Sequence, residues 1–562
     1  MNKCYVEKLD FSNLERLEEN FKALLNMPLE TLEEMETWLQ AQSELYDAMQ
    51  ESLYGHYIDF QCQSDSEAAK NAFEYDQKNV EPLFKRYVAA LDEQFLTSPA
   101  KALLDKKFYA QFLKRKQNAK ELFREENVEL EIEEDRLTTN YFEHTGGLTV
   151  DWNGEEKTLS QLQQYFEDAD SEVRKQAFTL TSEAFLSKQK ELQTIMSELI
   201  TLRQQKAKNA DLANYRDFMF KKYERFDYSP EDCKQLAKAV QLYVKPLKEK
   251  LQRRHQEEIG VDVYRPWDRR AVPKGRKPLR PFENTTELVE KSATIFQRLD
   301  PRFATLINEM NARGMLDLDS RKGKAPGGFC SALPISQLSF IFMNASTSHS
   351  DLVTFLHEMG HCIHNDLKTG LPLNAYRETP MESSELASMT MELFTMDQWH
   401  LFYENEAELM RAKRQQLKGI VDFLPTGMVI DQFQHWLYEN PDHSPEERNN
   451  KYLEISQQLD ANVADWSGYE EWAKQTWLPV LHIFEVPFYY IEYVIAQLGA
   501  LQMYRQYRQH PEQALENYKK ALSLGSSKSL PEIYEAAGIR FDFSEEMIKE
   551  LINFVEAEIA AL

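Results

Sequence analysis

The sequence predicts a mainly α-helical fold, and three observations carry that prediction. Apolar residues recur at helical spacing over most of the chain. Glycine supplies only 18 of 562 residues, so there are few breaks. Extended patterns are confined to two short stretches. In chain order, Thr31 and Glu34 have the form of a capping box just after Pro28. They open a helix whose apolar stripe is Leu32, Met35, Leu39, Leu45, Met49 and Leu53. Amphipathic patterns follow over 67–125, 158–209, 229–258 and 284–313. Residues 127–155 alternate at Val128, Leu130 and Ile132 and then turn at Gly146–Gly147, which reads as a strand signal. The stretch 263–283 holds four prolines among basic residues and reads as a loop with solvated charge. Residues 327–346 are the clearest extended region, with Leu338–Asn344 as a strand. A division into an N-terminal helical region (1–220) and a catalytic region (221–562) suits the pattern.

Charge and cysteine usage narrow the function classes. Asp plus Glu exceed Lys plus Arg, 92 to 66, a formal charge of −26. Such an acidic chain lacks the positive face that binding to nucleic acid or to an anionic membrane needs. Five cysteines without CxxC spacing do not make a disulfide scaffold. The charged N-terminus shows no signal-peptide pattern, and no stretch is apolar enough to span a bilayer. These features suit a cytoplasmic protein.

The chemistry concentrates in Asp351-Leu-Val-Thr-Phe-Leu-His357-Glu358-Met-Gly-His361-Cys-Ile-His364. Ser348 or Ser350 can cap this helix, and Thr369-Gly370-Leu371-Pro372 ends it. His357 and His361 lie four residues apart, on one face, so both imidazoles can reach one Zn²⁺. Glu358 sits beside that ion as a proton acceptor rather than a ligand, the H-E-x-x-H arrangement. A catalytic zinc needs a third protein ligand. The helix after Pro380 offers Glu385, 24 residues past His361, with Glu378, Glu382 and Glu392 as competitors. Glu392, two turns beyond Glu385, suits a partner that orients a ligand histidine. His349 and His364 read as capping or solvent-facing, and Cys362 as a buried inert thiol.

His357-Glu-Met-Gly-His361 followed by Glu385-x-x-Ser388-x-x-x-Glu392 resembles the M3 family of zinc oligopeptidases, in its oligoendopeptidase F and Pz-peptidase branch. Asp170-Ser-Glu-Val-Arg174, Asn214-Tyr215-Arg-Asp-Phe218 and Lys324-Ala-Pro-Gly327-Gly328-Phe329 agree with that branch, so the likeness spans roughly 160–500. The resemblance implies His357, His361 and Glu385 as ligands of one catalytic Zn²⁺ and Glu358 as base. In His482-Ile-Phe-Glu-Val-Pro-Phe-Tyr489-Tyr490-Ile-Glu-Tyr493 it implies Tyr493 and Tyr490 as oxyanion donors and His482 as a substrate contact. It further implies two helical lobes around a deep cleft, with a small β-sheet beside the zinc helix.

The activity implied is endopeptidase cleavage of short peptides, with a leaning to Pro- and Gly-rich, collagen-derived ones. Leu338–Asn344 is a candidate edge to which an extended substrate could add, with Asn344 and Ala345 as its contacts. Two alternatives stand beside this reading. One is a metal-dependent carboxypeptidase. The other is a helical protein that binds zinc or peptide without catalysis, which Glu358 argues against.

Overall fold

The computed structural model describes residues 3–562. The predicted first helix, α1, runs Leu32–Cys62 and is opened by Thr31, whose side chain and Glu34 form a reciprocal capping box. Leu17, Phe21, Met35, Trp38, Leu39, Met49, Leu91, Phe95 and Phe112 build one apolar core, which closes on Leu373 and Tyr376 from much later in the chain. A second, larger core takes in Tyr5, Ile58 and Cys62 and then residues from Leu137 to Ile559. The predicted loop around 263–283 is irregular apart from one turn at Pro266–Asp268. A cleft of about 1220 Å³ separates the N-terminal helices, which present Tyr54, Tyr57 and Phe73, from the helices that carry the histidines. None of the helices among the described residues is long and apolar enough to cross a membrane.

The alternation at 127–155 is mostly helical. Val128, Leu130 and Ile132 lie in the helix Glu125–Gly146. That helix places Glu134 against Arg203 and Lys206, and these ion pairs override the local two-residue period. Only after Gly147 does a hairpin form, β1 (Thr149–Trp152) with β2 (Glu155–Thr158).

The second sheet positions the site. It holds β3 (Leu316–Asp319), β4 (Phe329–Leu333) and β5 (Leu338–Ala345) in the order β3-β5-β4. β5 pairs parallel to β3 and antiparallel to β4, from Phe329 opposite Phe342 to Leu333 opposite Leu338. The expectation that Leu338–Asn344 is an edge is therefore corrected. Every residue from Leu338 to Met343 is buried, as a strand flanked on both sides requires. Asn344 spends its side-chain amide on the carbonyls of Ala325 and Gly327, at 2.8 and 3.1 Å. Ala345 pairs with Asp319. Neither residue lines the cleft, one wall of which is Phe329–Leu333 of the outer strand β4 together with Leu338 and Ser339 at the start of β5.

Four further helices complete the frame: α2 (Pro230–Ala239), α3 (His349–Leu367), α4 (Met381–Phe394) and α5 (Glu406–Glu439). The last one needed, α6, spans Tyr490–Gln509. Ser348 caps α3, and Asp351 returns the bond to the Ser348 N–H at 2.8 Å. Helix α4 packs against both α3 and α6. Gly360 permits the closeness of α3 to α4: a Cβ there would sit 2.6 Å from the Ser388 Cα.

Candidate active site

Helix α3 presents His357 and His361 on one face, with ring centroids 5.0 Å apart and planes at 86°. Helix α4 brings Glu385 to them. Its Oε2 lies 3.3 Å from His357 Nε2 and 3.6 Å from His361 Nε2. Two donor atoms bound at about 2.0–2.1 Å on a tetrahedral ion are about 3.3 Å apart, so both edges to Glu385 have ligand spacing, and one donor atom from each of the three residues lies within 4.8 Å of the other two. His357 Nδ1 is 2.7 Å from Glu392 Oε1. That contact places a proton on Nδ1 and turns Nε2 towards Glu385. Burial opposes protonation of the ring, but Glu385 and Glu392 outweigh it and hold its pKa well above the ordinary value, so a bound ion would displace the Nε2 proton. Gln416 in turn donates to Glu392 Oε2 at 2.6 Å. On the other ring, Ser384 Oγ lies 3.4 Å from His361 Nδ1.

The competitors for the third position are occupied elsewhere. Glu378 pairs with Arg115 at 3.1 Å, and Glu382 accepts from the Tyr228 hydroxyl at 2.6 Å. Glu385 is oriented from both sides. Its Oε1 accepts from the Tyr489 hydroxyl and its Oε2 from Ser388 Oγ, each at 3.0 Å. Burial opposes ionisation of Glu385, yet His361, His357 and Tyr489 outweigh it and draw its pKa down to about 2. Burial holds His361 at about 4, so its ring stays neutral at pH 7. Burial raises Glu358 to about 7, only partly opposed by His357. Glu358 lines the same cleft as the three donors and forms no ion pair among the described residues.

The aromatic cluster resolves into distinct positions. Tyr493 lines the cleft, and its hydroxyl is 3.4 Å from His482 Nε2. Tyr490 does not form part of the cleft wall. Its ring packs on Phe423, with centroids 5.9 Å apart, and against the His482 ring at 5.0 Å. Tyr489, to which the sequence reading gives no role, is the phenol that orients Glu385. Its position four residues before Tyr493 was the available signal, since one helical turn brings both phenols to the same side. Phe488 sets its direction: φ is +67°, a strained value for an aromatic residue. The strain is held by Gln434, whose Oε1 accepts from Phe488 N at 2.8 Å, and by Arg225, which donates to the Phe488 carbonyl.

Two histidines depart from expectation. His349 and His364 are buried rather than solvent-facing. His349 Nδ1 meets the Tyr403 hydroxyl at 2.7 Å, and burial lowers its pKa to about 4. Cys362 is buried as expected, with its sulfur 3.5 Å from that of Cys330 on β4.

Comparison with known proteins gives the fold and the family. A solved structure of PZ peptidase A with an inhibitor superposes with a TM-score of 0.92 at 25% identity, covering 98% of this chain and 99% of that one. An oligoendopeptidase F from Enterococcus faecium shares the fold, with a TM-score of 0.63 at 16% identity over 98% of this chain and 96% of its own. Among curated relatives, oligopeptidase PepF of Bacillus subtilis is 22% identical over 247 residues, 43% of this chain. An oligoendopeptidase F homolog of Borreliella burgdorferi is 24% identical over 278 residues, 48% of this chain. The matched stretches span only 36% and 44% of those two relatives. Residues 8–123 match the Peptidase M3 N-terminal domain, and residues 164–552 match Peptidase family M3. By the extent of that match, over most of its length, the chain belongs to peptidase family M3.

Proposed function

We propose that this chain is a zinc-dependent endopeptidase that cleaves internal bonds of short oligopeptides. The observation that carries the proposal is the cluster of His357, His361 and Glu385, with both edges to Glu385 at ligand spacing. It opens on the same cleft as Glu358, a buried carboxylate that no cation claims. The nitrogen and carboxylate donors fit Zn²⁺ with one position left open, the pattern of catalytic rather than structural zinc. When bound, such an ion polarises the scissile carbonyl and acidifies water.

The chain's own residues supply the rest. Glu358 accepts a proton from the attacking water and delivers it to the leaving nitrogen. Its raised pKa suits both directions of that transfer. Tyr493, steadied by His482, donates to the oxyanion that develops on the scissile carbonyl. Tyr490 acts from behind, by fixing the His482 ring. Glu392 and Tyr489 hold the ligands His357 and Glu385 in place. An extended peptide gains main-chain hydrogen bonds along the free edge of β4, which gives affinity with loose side-chain selection. A cleft of about 1220 Å³ admits such a strand and excludes a folded domain. The leaning to Pro- and Gly-rich peptides rests on the family-branch resemblance of the sequence alone.

The test pairs zinc content with cleavage of a peptide blocked at both ends. Glu358→Gln is expected to retain zinc and lose about 10²–10⁴-fold in kcat. Internal cleavage of the blocked peptide supports the endopeptidase. Release of single C-terminal residues from unblocked peptides alone supports a carboxypeptidase. Bound zinc without cleavage supports a binding protein.

A further inference from the structure

A second cluster of metal-ligating side chains lies outside the cleft. Cys233 on α2 faces Asp431 and His435, which are four residues apart on α5 and share one helix face. One sulfur, one carboxylate oxygen and one imidazole nitrogen lie within 4.8 Å of one another. His435 Nε2 is 3.4 Å from Asp431 Oδ2, matching the edge of about 3.3 Å expected for two ligands on a tetrahedral zinc-sized ion. The three residues are at most 2% exposed.

The polar atoms of this cluster are otherwise unsatisfied. Among the described residues, neither ring nitrogen of His435 has a hydrogen-bond partner, and neither does Asp431 Oδ1. Asp431 Oδ2 accepts from its neighbour Gln432, at 2.9 Å. The His435 ring is walled by Phe220 and Phe488, both edge-on, with centroids at 6.1 and 5.4 Å. A buried carboxylate and imidazole left in this state are costly in an apolar shell. A divalent ion removes that cost and balances a thiolate plus a carboxylate to neutrality.

We propose that Cys233, Asp431 and His435 hold a second divalent transition-metal ion of the zinc class; it too has three protein donors, but all three are buried rather than set on the cleft, so its role is to tie helices together. The donor set of sulfur, nitrogen and oxygen is one that Zn²⁺ accepts and Mg²⁺ or Ca²⁺ does not. Burial keeps the Cys233 thiol well above its ordinary pKa, so it carries its proton until an ion arrives. On binding, the S–H bond breaks, the sulfur–metal bond forms, and one proton leaves to solvent with no change of oxidation state. The ion would tie α2 to α5 directly behind Phe488, whose strained backbone aims Tyr489. The proposal is independent of the reading of the cleft.

The two metal clusters differ in one spectroscopically useful way: only this one contains sulfur. The experiment counts metal per chain in the purified full-length protein and records the near-ultraviolet spectrum of protein produced in cobalt-supplemented medium. Two ions per chain are expected in the wild type, and one in a His357→Ala/His361→Ala variant. That remaining ion, as cobalt, is expected to show a thiolate-to-cobalt charge-transfer band. Cys233→Ala should abolish the band and lower the count by one, whereas Cys362→Ala should leave both unchanged. Asp431→Asn gives the same readout if Cys233→Ala does not fold. One ion or fewer in the wild type overturns the proposal, as does a metal-free His357→Ala/His361→Ala protein or a band that survives Cys233→Ala.

Discussion

At the scale of single residues, the site separates phenols that look alike in sequence. Both Tyr489 and Tyr493 line the cleft, but Tyr489 donates to Glu385 at 3.0 Å, whereas Tyr493 meets His482. Their removal should therefore read out differently. Tyr489→Phe is expected to weaken zinc affinity by about 10-fold or more, as loss of a bond that orients a ligand does. Tyr493→Phe is expected to keep zinc and lose about 10²–10³-fold in kcat. Chelator competition and steady-state kinetics on the same two proteins check this, and equal effects on zinc affinity would contradict the assignment. The pH profile is a second test. Burial raises Glu358 to about 7, and a bound cation pulls it back towards the ordinary glutamate range. The base works when ionised, so activity falls as pH drops through its pKa. The acid limb of kcat/KM is expected above pH ~4.3 and no higher than about 7. A limb at or below the ordinary glutamate value would remove the burial argument.

At the scale of elements, helix α3 with its two histidines was legible because its signals are local. Ser348, Asp351 and the four-residue histidine spacing act within a turn or two, and the same holds for Glu385 and Glu392 on one face of α4. What sequence could not supply depends on partners far away. Val128–Ile132 looks like a strand until Arg203 and Lys206, some 70 residues later, pair with the helix that contains it. Leu338–Asn344 was identified as a strand but not as a central one, because β3 and β4 are joined to it by pairing that no local pattern encodes. Tyr489 was missed for the same reason: Glu385, its partner, lies 104 positions away. Gly360 marks the contact that makes the α3–α4 pair functional. A Cβ there would sit 2.6 Å from Ser388 Cα and 2.8 Å from the Ala387 carbonyl, both backbone atoms that cannot rotate away. Gly360→Ala is expected to lower stability by about 1–3 kcal/mol and to separate Glu385 from the histidines, so that zinc affinity falls with it. Urea unfolding and zinc titration check both. Unchanged zinc binding would mean that α4 tolerates displacement.

At the scale of the whole molecule, the two walls of the cleft are joined through one face of α1. Asp47 and Glu51 lie four residues apart on it, one turn along the helix. Asp47 accepts from Asn374 and Arg377, at 2.7 and 2.6 Å, in the segment that links α3 to α4. Glu51 is fully buried and accepts from the backbone N–H groups of Ile335 and Ser336, at 2.6 and 2.9 Å, in the turn between β4 and β5. It also accepts from Val6 N at 2.8 Å and from the Ser336 hydroxyl. The N-terminal helices thus grip both the α3–α4 pair and the strand proposed to receive substrate. Glu51→Ala would strand several buried donors at once, and each unsatisfied group costs about 1–3 kcal/mol. A loss of ~3 kcal/mol or more is expected in urea unfolding. The donors of the metal cluster lie on α3 and α4 and do not touch Glu51, so zinc content should be unchanged. The β4–β5 turn should loosen, and KM for extended peptides should rise more than kcat falls, if β4 binds substrate as proposed. A Glu51→Ala protein with wild-type stability would mean that this contact does not couple the two lobes. One with a collapsed kcat and normal KM would place its effect on the catalytic groups instead.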